Sequence, residues 1–179
     1  MREQRQSVYQ RASVWGIPFG LYLTCMGLAS VFGDWFQPLA FIFILLVLGT
    51  PLVVYYFQRR YFIEEDGFTE YAALWMLGIM LFMLGTIFAS FIMFLVIQYG
   101  RPEFIYDQAN QVIKAYSEMP EMRDSEFLRV LQRAVDERRL PTPIESVFNA
   151  FWFITFGGCI TSAITALIAQ RRINRRPRQ

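Results

Sequence analysis

Cys25 and Cys159 are the only thiols in a 179-residue chain that contains no histidine. Each lies inside a long apolar run, where the reactive thiolate is scarce and the thiol behaves as a small hydrophobe. Two cysteines so far apart form no CxxC pair and no disulfide framework. Without histidine the chain lacks the commonest metal ligand and the commonest acid or base. Serine and aspartate are present, but there is no Ser/His/Asp triad, no HExxH, no Walker loop and no GxGxxG. We therefore expect no catalytic residue, no metal and no cofactor, and a protein that is not an enzyme.

Three polar groupings remain. Glu64-Glu65-Asp66-Gly67 clusters carboxylates of the kind that attract hard cations, but the same residues read more simply as a DG turn with solvated charges. Asp34 and Asn149 could line a shallow entrance, although a solvated turn residue and an interfacial helix residue account for them as well. Arg171, Arg172, Arg175, Arg176 and Arg178 make a basic tail. Such a tail suits anionic lipid headgroups, at about 1 kcal/mol per charge near the surface, and also sets topology. A net charge of +2 is too small to point to nucleic acid.

The elements that carry these residues follow from composition. The chain is 55% apolar and only 18% charged, and its charges are absent from four stretches: residues 14–32, 39–57, 71–97 and 147–169. Each has about the 20 residues needed to cross the hydrocarbon of a bilayer. In lipid a backbone must satisfy its own N–H and C=O groups, so such runs become helices, and they lack the alternation of barrel strands. Trp15, Trp35, Trp75 and Trp152 fall within or beside the first or last turns of these runs, where indole rings favour the membrane interface. The expectation is an all-α integral-membrane four-helix bundle, a single transmembrane domain over residues 1–179, with an extramembrane helical hairpin in 98–146. The four cores carry no ionisable group, which disfavours proton-coupled transport through a buried carboxylate.

Small residues mark the faces on which these helices meet. Span four holds Gly157, Thr161, Thr165 and Ala169 on one four-residue ladder and Gly158, Ser162 and Ala166 on the next. Span one offers Gly16, Gly20 and Thr24, and span three Gly85 and Ala89. Packing within one chain is the expected use of these faces, with Ile160, Ile164 and Leu167 left toward lipid.

Orientation comes from basic residues near span ends. Arg2, Arg5 and Arg11 precede span one, Arg59 and Arg60 follow span two, and the basic tail follows span four. These clusters fall on one side, predicting cytoplasmic N- and C-termini in a bacterial inner membrane. The segment 98–146, with seven basic and nine acidic residues, then faces the other side. The basic start and apolar run resemble a signal peptide, but the run exceeds the usual length of about 7 to 15 residues and is expected to be retained.

Within 98–146, Ile105, Ala109, Val112, Ile113 and Tyr116 recur at helical spacing, as do Phe127, Val130, Leu131, Ala134 and Val135. Met119-Pro120 divides the two helices, Asp124 is the expected N-cap of the second, and Pro141 with Pro143 is expected to stop it. The mixed charges favour a cap packed on itself over a helix lying on the membrane. Phe127, Val130 and Leu131 are the candidate partner surface.

Asp66-Gly67-Phe68 leading into span three, Arg101-Pro102-Glu103-Phe104 after it and Pro143-Ile144-Glu145-Ser146 before span four carry a resemblance. The chain resembles the bacterial integral-membrane family called domain of unknown function 4199, of the Bacteroidota type. The resemblance covers nearly the whole chain and implies four inner-membrane helices and no assigned activity. The function expected is a non-enzymatic accessory or scaffold subunit of a membrane assembly, with the bilayer and a membrane-protein partner as its contacts. The alternative is a small transporter or channel formed by a homo-oligomer, since four short helices enclose little volume.

Overall fold

The computed structural model describes residues 8–65, 69–119 and 125–173, the last three by backbone alone. Among the described residues the fold is all helical. Its α-helices are α1 (Val8–Phe32), α2 (Gln37–Glu64), α3 (Tyr71–Leu95), α4 (Phe104–Ser117), α5 (Glu126–Asp136) and α6 (Pro143–Ile173), and a π-helical turn, Val96–Gly100, continues α3. Helices α1, α2, α3 with its π turn, and α6 are each long and apolar enough to cross a membrane. All four outrun their uncharged sequence runs. A helix need not end where hydrocarbon ends, because interfacial charged side chains are tolerated along the same backbone.

The chain divides into two compact units, residues 1–93 with 150–179, and residues 94–149. In the first, α1 and α2 are joined by a tight turn closed by Trp35 N–H donating to the Phe32 carbonyl at 3.1 Å. The core of this unit is apolar and aromatic: Phe19, Leu74, Leu77 and Leu81 are fully buried, and Phe19 meets Phe82 edge to face at 5.1 Å between centroids. Prolines interrupt two helices, Pro18 in α1 and Pro51 in α2. Near Pro51 the Leu46 carbonyl accepts hydrogen bonds from Tyr22 of α1 and from Thr50.

Much of the apolar surface stays outward. Along α2, Phe41, Leu45, Leu48 and Leu52 are each about two-thirds exposed or more. An exposed leucine stripe of this length is costly in water and costs nothing against lipid tails, which are as apolar as leucine.

In the second unit α4 packs on α5, with the Tyr116 and Phe127 rings 5.6 Å apart, and Ala109 and Leu128 are buried. Helix termini here differ from the sequence expectation. Ser125 caps α5, its hydroxyl accepting from Leu128 N–H at 3.3 Å; Asp124 lies outside the described residues. Pro143 does not stop a helix but begins α6. Proline suits that first position because its missing N–H would have no partner there. Thr142 and Glu145 close a capping box before it, with Thr142 N–H donating to Glu145 Oε2 at 2.8 Å and Glu145 N–H to Thr142 Oγ1 at 3.4 Å. Two residues past the end of α5, Arg138 takes the left-handed conformation, φ 53°.

Candidate functional site

Three helices of the first unit meet at a buried amide. Gln58, fully buried on α2, donates through Nε2 to the Leu74 carbonyl of α3 at 3.2 Å and to the Ser162 carbonyl of α6 at 3.1 Å, with Ser162 Oγ at 3.4 Å. Ser162 Oγ donates to the Trp75 carbonyl at 3.1 Å. Nearby, Trp75 Nε1 donates to the Cys159 carbonyl at 3.2 Å and the Tyr71 hydroxyl to the Ala163 carbonyl at 3.4 Å. This junction exists because Gly78 has no side chain: a Cβ there would collide with Ser162 Oγ and come within 2.8 Å of Gln58 Nε2. One atom is left over, since Gln58 Oε1 is buried with no hydrogen-bond partner.

A charged cluster lies one to two turns further along α2. Arg11 of α1 pairs with Glu64 and stands 3.8 Å from Glu65, while Arg60 pairs with Glu64 at 2.9 Å. The guanidinium of Arg11 lies 5.4 Å from the centre of the Tyr61 ring and that of Arg60 5.5 Å from Trp15. Both contacts fall in the range of cation–π attraction. Glu64 and Glu65 thus face guanidinium groups; Asp66 and Gly67 lie outside the described residues.

The small-residue positions occupy distinct places. Gly16 lies against Leu84, and Gly20 against Phe88 and the Gly85 carbonyl, so a Cβ on either would have heavy atoms at 3.1 and 2.9 Å. A Cβ on Gly85 would stand 2.7 Å from Phe19, and Ala89 is buried in the core. On α6, Gly158 has its open side filled by the Phe82 ring, and Ser162, Thr165 and Ala166 are buried. Thr161 is half-buried and bonds its own helix, donating to the Gly157 carbonyl at 2.9 Å. Gly157 faces open space, with nothing within 4 Å of where its Cβ would stand. Of the two ladders on α6, the one through Gly158 therefore meets α3. Ile160, Ile164 and Leu167 are exposed.

Cys25 is exposed and Cys159 half-buried, and both are free thiols. Asp34 and Asn149 are exposed. In the second unit, Phe127 and Val130 are each more than half exposed while Leu131 is half-buried. Leu128, which sequence spacing passes over, is the residue of α5 that is buried. Arg101 is also buried, donating to Asp107 at 2.8 Å with its guanidinium 5.7 Å from the Phe104 ring.

Gln58 escapes a sequence reading based on charge-free runs because it stands one residue past the second run and is itself uncharged. The available signal was a glutamine ahead of an Arg-Arg pair and helically in register with the apolar face of α2. A family model described as "Protein of unknown function (DUF4199)" matches residues 14–171. No curated protein and no solved structure matches the chain.

Proposed function

We propose, from the premise that this chain belongs to the DUF4199 family of proteins of unknown function, that it is a non-enzymatic scaffold or accessory subunit of a bacterial inner-membrane assembly. Its termini are cytoplasmic and residues 98–146 lie on the opposite side. The observation that carries the reading is the outer face of α5. Phe127 and Val130 are more than half exposed on an amphipathic helix whose Leu128 is buried, and Phe127 is only partly covered by Tyr116. Aromatic and aliphatic side chains held open on a helical cap form the kind of anchor that concentrates binding energy in an interface. The charge-free spans and their close-packed small-residue faces suit a rigid membrane support.

The test is co-purification from native membranes in mild detergent. Val130→Asp is expected to release a partner that the wild-type chain retains, with the amount and melting temperature of the protein unchanged, and Phe127→Asp to release it with some loss of stability from its contact with Tyr116. A strictly monomeric wild-type particle with no reproducible partner would refute the scaffold reading. Flux across proteoliposomes, together with a homo-oligomer in the same preparation, would establish the transporter or channel alternative in its place.

A further inference from the structure

Tyr56, Arg59, Arg60, Ile63 and Glu64 line a shallow groove of about 420 Å³ along the outer face of α2. Its charges do not cancel. Glu64 is engaged by both Arg11 and Arg60, and Glu65 stands near Arg11. Two guanidinium groups therefore face two carboxylates, and among the described residues Arg59 has no acidic partner. Arg59 is exposed, and so are Tyr56 on one side of it and Ile63 on the other.

The same helical stripe continues away from Arg59 through Leu52, Leu48 and Leu45, each about 70% exposed. Read along the helix, the stripe passes from alkyl side chains to a phenol and then to a guanidinium. A phospholipid has the same order of chemistry, from acyl chain through ester and glycerol to phosphate. Arg60 is held over Trp15, and tryptophan favours the headgroup level of a bilayer. A guanidinium at that level with no acidic partner among the described residues selects an anionic headgroup.

We propose that this groove is a binding site for one anionic phospholipid, with its phosphate on Arg59, its glycerol and ester region beside Tyr56 and an acyl chain along Leu52 and Leu48. The proposal rests on the chain spanning the membrane. Carbonate extraction tests that premise separately: release of the full-length chain defeats the membrane reading, while retention leaves the lipid site to be judged alone.

The site is tested by native mass spectrometry of the full chain titrated with phosphatidylglycerol or phosphatidylcholine in mild detergent. Phosphatidylglycerol should bind more tightly. Arg59→Gln should weaken it about fivefold, the worth of one interfacial charge, with phosphatidylcholine binding unchanged, and Arg59→Lys should keep most of the preference. Because Arg59 is exposed, neither change should disturb folding. Unchanged phosphatidylglycerol affinity in Arg59→Gln would overturn the proposal. So would loss of the entire preference on changing Arg175 and Arg176 to Gln, which would assign the attraction to the basic tail. Displacement of the lipid by an equal concentration of glycerol 3-phosphate would also overturn it, by making a free phosphate compound the ligand.

Discussion

Gly157 and Gly158 are neighbours with opposite surroundings, and the contrast makes a sharp test of how α6 packs. A methyl group on Gly158 would run into the Phe82 ring, whereas on Gly157 it would meet nothing within 4 Å. Gly158→Ala is expected to destabilise by about 1–3 kcal/mol through overpacking. Gly157→Ala should be neutral or stabilising by up to about 1 kcal/mol, because glycine is a poor residue for a helix interior. Thermal melting in detergent distinguishes them, and equal melting temperatures would mean that the packed face of α6 is misassigned. Gln58 poses a different question at the same scale. Its amide makes bonds to two helices while leaving Oε1 unpartnered. Each side-chain bond within a membrane is worth only about 0.6 kcal/mol, and a buried unpaired acceptor costs about 1–3 kcal/mol. The two effects roughly offset. Gln58→Leu is therefore expected to change stability by less than about 1 kcal/mol, whereas Gly78→Ala, which forces Ser162 away, should cost more. Unfolding in sodium dodecyl sulfate measures both, and a greater loss from Gln58→Leu would show that the junction depends on the amide itself.

At the scale of elements, the long helices were legible because a bilayer leaves a charge-free run of about 20 residues almost no other conformation. Their ends were harder to read, since termini are decided by local hydrogen bonds that compete over one or two residues. Asp124 and Ser125 are both good caps by residue type, and it is Ser125 whose hydroxyl receives the Leu128 N–H. Pro143 is both a helix breaker and a favoured first residue, and the Thr142–Glu145 box around it selects the second role. The end of α5 adds a feature that residue types do not announce. Arg139 N–H reaches the Ala134 carbonyl at 2.8 Å and Arg138 N–H the Val135 carbonyl at 3.1 Å, the paired bonds of a Schellman ending. The left-handed position in that ending normally belongs to glycine but here holds Arg138. Arg138→Gly is expected to stabilise the ending by about 0.5–1 kcal/mol. Thr142→Ala should instead cost about 1 kcal/mol by opening the capping box before α6. Hydrogen exchange at the first amides of α6 and the last of α5 reads the two changes separately, and slower exchange in Thr142→Ala would contradict the cap assignment.

For the whole molecule the question is which way the chain faces, and the first unit narrows it. Arg11 near the start of α1 pairs with Glu64 at the end of α2, so the start of α1 and the end of α2 share one end of that unit. Gln58 ties the same part of α2 to Leu74, early in α3, and to Ser162, late in α6. The start of α3 and the end of α6 therefore lie toward that end too. Ten of the seventeen basic residues belong to these termini and joints, and the other seven fall in 98–146 beside nine acidic residues. A difference of this kind leads us to propose that the first group is cytoplasmic, because lysine and arginine near span ends resist translocation. The two native thiols would confuse a labelling experiment, so Cys25 and Cys159 are first changed to Ala. That change is itself expected to leave folding and cellular phenotype intact, as neither thiol is paired and Cys25 is exposed. In this background Gln132→Cys, on an exposed position of α5, should react with a membrane-impermeant maleimide in intact spheroplasts. A cysteine added after Gln179 should react only once the membrane is opened. The reverse pattern would invert the topology and put the basic tail outside. Loss of function in the cysteine-free protein at normal abundance would make a thiol the first residue to pursue, in place of the exposed face of α5.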